Sequence, residues 1–186
     1  PALSLGELGT FDDNGVIPLS IVDVGDETRL YYVGWGPRST VRFSLFSGLA
    51  VSNDGGKEFR RFSQAPLLHR TDDEPLLNAV SCVRREADVW RMWYLAGVCW
   101  IHPDLPKYDV RYAESEDGIN WRRDGQVCIG FTYPGEHAIG RPWVVKDGDI
   151  YRMWFAHKGI DYRIGYAESE GGISWQRRED LSGIDV

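Results

Sequence analysis

The chain has 186 residues, 42% hydrophobic and 26% charged, which is enough apolar material for one domain with a buried core. With 28 acidic residues against 21 basic ones, the net charge is −7, and a nucleic-acid partner is not expected because readers of a phosphate backbone carry a basic face. No apolar run approaches the roughly 18 residues of a membrane span, so no membrane partner is expected either.

Residues 1–15 are rich in glycine and acids and end in turn chemistry at Asp12, Asp13 and Asn14, a loop that feeds a strand. Apolar runs at Val16–Val24 and Thr28–Trp35, split by Gly25-Asp26-Glu27, predict a hairpin. After a loop at Gly36–Ser39 come a strand at Ser47–Ser52, a turn at Asn53–Gly56 and an edge strand at Phe59–Phe62. The next stretch repeats that order: a loop at His69–Pro75, strands at Asn78–Arg84 and Val89–Gly97, an insertion at Trp100–Tyr108, a strand at Asp109–Ser115 and an edge at Trp121–Arg123. The last has a loop at Tyr133–Ala138, strands at Arg141–Lys146, Ile150–His157 and Tyr162–Ser169, and an edge at Trp175–Arg178.

The order recurs because the sequence does. Tyr112-Ala-Glu-Ser-Glu-Asp-Gly-Ile-Asn-Trp121 returns as Tyr166-Ala-Glu-Ser-Glu-Gly-Gly-Ile-Ser-Trp175, and Arg91-Met-Trp-Tyr94 returns as Arg152-Met-Trp-Phe155. A fainter first copy carries Arg29-Leu-Tyr-Tyr32. A period of about 60 residues made of four short strands predicts an all-β propeller with three four-stranded antiparallel blades, at about 11–65, 70–128 and 133–180, in one domain over 1–186. Three blades do not close a ring, so either further sequence or self-association is expected to cover the open blade faces.

In a propeller the loop leading into each innermost strand lies near the axis, and these loops carry Asp12 and Asp13, then Asp72, Asp73 and Glu74, then Glu136. Carboxylates gathered around one pocket suit glycosidic-bond cleavage, with one ionised as base or nucleophile and another held protonated as acid. The plainer alternative is that the aspartates form Asx turns ahead of the strands. His137, Arg141, Lys158 and Arg163 supply positive charge near the third loop, enough for a phosphate or a sugar carboxylate. Trp35, Trp100 and Trp143 are candidates for stacking on a sugar ring, with Trp143 read as core and Trp100 as part of a rim loop. Cys82, Cys99 and Cys128 lack metal-ligand spacing and read as reduced core thiols, which favours the cytoplasm, and no metal site or cofactor is expected.

The blade pattern Tyr-Ala-x-Ser-x-Asp-Gly-x-x-Trp, with an acidic group before successive inner strands, resembles the five-bladed propeller glycosidases of the arabinanase, xylosidase and invertase superfamily and the related mannoside phosphorylases. By that resemblance Asp12 (or Asp13) is the base, Glu74 (or Asp73) the residue that tunes the acid, and Glu136 the general acid; a structural calcium is possible. The resemblance implies a carbohydrate substrate and a hydrolase, with a phosphate-using phosphorylase or a non-catalytic carbohydrate-binding scaffold as alternatives.

Overall fold

The computed structural model describes residues 2–183. Strands β1 (Gly15–Val24), β2 (Glu27–Pro37), β3 (Phe43–Ser52) and β4 (Arg60–Arg61) form an antiparallel meander in that spatial order. Two more follow: β5 (Asn78–Glu86), β6 (Val89–His102), β7 (Leu105–Ser115) and β8 (Val127–Ile129), then β9 (Ala138–Asp147), β10 (Ile150–Lys158), β11 (Tyr162–Ser169) and β12 (Gln176–Arg177). The protein is an all-β propeller, and the meanders are its blades. A single parallel pairing, Tyr108 with Ala138, stitches β7 to β9 and joins the second and third blades into one sheet.

Four sequence expectations change. The stretch Trp100–Tyr108 is not a rim loop: β6 and β7 run on through it as one long hairpin with two bulges, and Pro106 is accommodated opposite Trp100. Its tip reaches the first blade, where Pro103 accepts a backbone bond from Arg42 and Trp100 meets Phe43 edge-on. In the second blade the fourth strand is split between a lone bridge, Glu114 with Arg122, and the later β8. Cys99 is exposed rather than core, and so is Trp143, at 56%.

The core lies between blades. One cluster, with Tyr31, Leu49, Leu77, Trp90 and Leu95, fills the space between the first and second; another, with Trp93, Val144, Tyr151 and Met153, fills the next. Each interface is also tied by the same hydrogen bonds. Arg29 and Tyr31 donate to the carbonyls of Asp117 and Gly118 at 2.5 and 2.9 Å; one blade on, Arg91 and Trp93 donate to Gly171 and Gly172, both at 2.7 Å. Trp121 and Trp175, just past those turns, stand edge-on to Tyr31 and Trp93. On the inner strands Ser20 Oγ accepts from the Val83 amide at 3.0 Å, and Cys82 Sγ takes the same place against Val144 at 3.5 Å. The corresponding residues of the third blade are Arg152, Trp154 and Trp143. Arg152 pairs instead with Asp147 of its own blade, Trp154 reaches the Ser182 carbonyl at 3.4 Å, and Trp143, Val145 and Ile164 are exposed.

The turn glycines make this joint possible. Gly118 has φ +73°, and a Cβ there would lie 2.8 Å from both the Tyr31 hydroxyl and the Trp90 ring, whereas Gly171 faces open space. Gly118→Ala combines left-handed backbone strain with a clash and should cost about 2 kcal/mol or more in urea unfolding. Gly171→Ala should change stability little by the same measurement.

Candidate functional site

Each of the three loop acids is bonded by residues of its own blade. Asp12, fully buried, accepts from Tyr32 OH at 2.9 Å on β2 and from Arg61 Nε at 2.7 Å on β4. Glu74 accepts from Tyr94 OH at 2.5 Å on β6, from Arg111 at 3.2 Å on β7, and from Arg123. Glu136 is held by His157 Nδ1 at 2.8 Å on β10, by both terminal nitrogens of Arg177 at 3.1 Å on β12, and by the Thr132 amide at 2.8 Å. In every blade a buried carboxylate before the inner strand is clamped by an arginine from the outer edge and a polar ring from the second strand. A buried carboxylate demands such partners, because leaving it unpaired costs several kcal/mol.

Reading the sequence alone misses the partner residues, although part of the signal is there. Asp12, Glu74 and Glu136 are 62 residues apart, and so are Arg61 and Arg123; Arg177 follows after only 54. Asp109, also missed, is buried beside Arg111, and burial raises its carboxyl while Arg111 opposes that rise. In Glu136 the balance goes the other way: burial pushes the carboxyl up, but Arg177, the Thr132 amide and His157 together hold it below its ordinary 4.5.

The remaining predicted residues scatter. Asp13 caps the first loop, accepting from the Gly9 amide and Asn14, and Asp73 is exposed on its loop. His137 is a strap: its ring sits against the Gly135 carbonyl, and its backbone bonds both Tyr108 and Lys158. Lys158 lies 4.9 Å over the Tyr162 ring, Arg163 is exposed, and Trp100 is taken up by Phe43.

Arg141 is the exception. Each inner strand breaks register once, at Leu19, at Ser81 and at Arg141-Pro142, where one blade's strand carries extra residues against its neighbour. A bulge re-aims the side chain it carries. These three side chains all line one cavity of about 180 Å³ where the inner strands of the three blades come together. Ile17, Phe43, Leu77 and Leu95 form apolar walls, and Tyr108 and Tyr162 hydroxyls, 3.3 Å apart, form a polar edge. None of Asp12, Glu74 and Glu136 is among the lining residues. Larger depressions of about 490 and 670 Å³ lie over the Asp117 and Gly171 turns, but these are open grooves between exposed outer-strand side chains.

No protein-family model matches the chain. Over 187 aligned residues it is 37% identical to the uncharacterized protein Rv1502 of Mycobacterium tuberculosis H37Rv, across all of this chain and 62% of the relative. The chain therefore spans about three-fifths of the length of that relative. Among solved structures, BT0996 in an RGII complex matches with a TM-score of 0.75 at 23% identity, over 97% of this chain and 61% of that protein. A glycoside hydrolase matches with a TM-score of 0.76 at 23% identity, over 99% and 60%. Members of glycoside hydrolase families 32, 130 and 117 share the same arrangement. The chain has the fold of the propeller-type glycoside hydrolases.

The clamps give two tests. Because folding lowers the Glu136 pKa, its pairing stabilises the protein fully above about pH 4.5 and is lost as the pH falls through the lower folded value. Glu136→Gln should flatten that acid limb in a series of melting curves, as well as lowering the neutral-pH melting temperature. Arg123→Ala should cost about 3 kcal/mol in chemical denaturation, since it leaves Glu74 buried with one cation fewer.

Proposed function

We propose that the protein recognises a glycoside in the axial cavity, as a propeller of the glycosidase type. The observation that carries this reading is the convergence of the three inner-strand bulges, Leu19, Ser81 and Arg141, on one hollow with apolar walls and a hydroxyl edge. Such a surface suits a sugar, whose ring has an apolar face and a hydroxyl rim. The likeness to glycoside hydrolases supports the same substrate class.

A second reading is cleavage of the bound glycoside, favoured by the presence of an acid in every axial loop. In it Asp12 or Asp13 serves as base, Glu74 or Asp73 as modulator and Glu136 as acid. The arginine clamps weigh against it, because a general acid must be kept protonated and Glu136 is instead held ionised. The phosphorylase variant draws on Arg141 and Lys158 as the phosphate holders.

We further propose that the third blade receives another blade of the same pattern, its turn carbonyls facing Arg152 and Trp154. The unmatched part of Rv1502 is about the length of two repeats. The face is a continuation of the two joints already formed within the chain, rather than a surface of unrelated chemistry.

Screening aryl glycosides and oligosaccharides, with and without phosphate, should show saturable binding. Glu136→Gln should reduce thermal stability while leaving binding by the folded fraction unchanged; loss of turnover with an unchanged melting temperature would establish the cleavage reading instead. Extending the chain by the part of Rv1502 that it does not match should shield Trp143 and Trp154 from acrylamide quenching. Equal quenching in the short and extended chains would remove the blade-docking proposal.

A further inference from the structure

The axial cavity holds a cation whose position departs from the repeat. The first two bulges leave one residue each on the cavity, Leu19 and Ser81; the third carries two residues, Arg141 and Pro142, and it is Arg141 that lines the cavity. Arg141 also has φ +51°, a left-handed conformation that costs a non-glycine residue about 1 kcal/mol or more. The other two bulge residues have no such strain. A left-handed position that would suit a glycine carries an arginine instead.

Its charge is not taken up by a carboxylate, although it acts on the neighbouring Tyr108. Arg61, Arg111, Arg123 and Arg177 are all taken by carboxylates, yet no ion pair reaches Arg141 among the described residues, in a chain whose net charge is −7. Acids are plentiful, yet Arg141, an exposed residue at the lining of the cavity, pairs with none of them. Beside it, the Tyr108 and Tyr162 hydroxyls are bonded to each other, which leaves one O–H of the pair to donate, and the apolar wall offers a floor for a ring.

Resting on the reading of the cavity as a glycoside site, we propose that the glycoside bears a carboxylate, a uronic acid, and that Arg141 takes it through its paired nitrogens, with the free O–H of the Tyr108–Tyr162 pair completing the contact. The planar fork of a guanidinium matches the two oxygens of a carboxylate, and one lone arginine balances a monoanion better than the higher charge of a phosphate. Arg141 is thus a specificity residue. It selects among sugars, and its backbone costs the fold stability.

The test is titration calorimetry with an oligogalacturonide, with the same oligosaccharide after reduction of its carboxyls to alcohols, and with inorganic phosphate as competitor. The acidic oligosaccharide should bind at least tenfold more tightly than its reduced form, and phosphate should compete poorly. Arg141→Ala should abolish the difference while retaining weak binding of the reduced sugar. Arg141→Gly, which relieves the backbone strain, should lose the same discrimination and yet raise the melting temperature. Equal binding of both sugars by the unaltered protein, equal weakening of both by Arg141→Ala, strong phosphate competition, or a lower melting temperature for Arg141→Gly would overturn the assignment of a carboxylate. Binding of no sugar at all would overturn the glycoside reading beneath it.

Discussion

A carboxylate that folding removes from water must be met by positive charge and hydrogen bonds, and this constraint organises every blade. Asp12, Glu74 and Glu136 each sit at the point where the chain enters an inner strand, and each is met by an arginine from the outer edge of its blade. The pair closes the blade across its width: its first turn is fixed to its last strand, with Tyr32, Tyr94 or His157 reaching in from between. The outer strands are short, two or three paired residues each, and the ladder alone holds them weakly. An ion pair sheltered from solvent is screened little by salt, so it anchors an edge that would otherwise fray.

Joints between blades obey a different rule. There the contacts are hydrogen bonds from side chains to turn carbonyls, and the aromatic that donates also supplies the packing surface. Tyr31 shows how thoroughly such a group is taken out of water: burial pushes its phenol up to about 12 even though Arg29 lies against it. Because the accepting groups are backbone atoms, the turn sequence is free to vary between Asp117-Gly118 and Gly171-Gly172 as long as the glycine remains. The two joints therefore match in geometry although Tyr31 and Trp93 differ in kind.

The all-β class, the strand order and the turns are legible in the sequence because they rest on local features: alternating aromatic runs, Gly-containing turns and a motif repeated nearly word for word. The clamps are not, since a carboxylate and the arginine that meets it lie 41 to 49 residues apart and nothing local ties them. The acids stand out as a set, but their even spacing is itself a sign of architecture. Pro103 and Pro106 suggest a loop where the structure continues a hairpin, because β7 at that point pairs on one side only and tolerates a missing amide. Arg141 stands out by its charge, while the feature that sets it apart, a left-handed backbone at a bulge, has no signature in residue type.

Trp143 occupies the place that Ser20 and Cys82 hold in the earlier blades, where a small side chain lets neighbouring inner strands touch through a single oxygen or sulfur. An indole in that slot forbids so close an approach. A strand laid beside β9 would have to stand off by roughly the thickness of an aromatic ring. The gap so created would open two residues from Arg141, on the flank through which a bulky, charged molecule has room to pass.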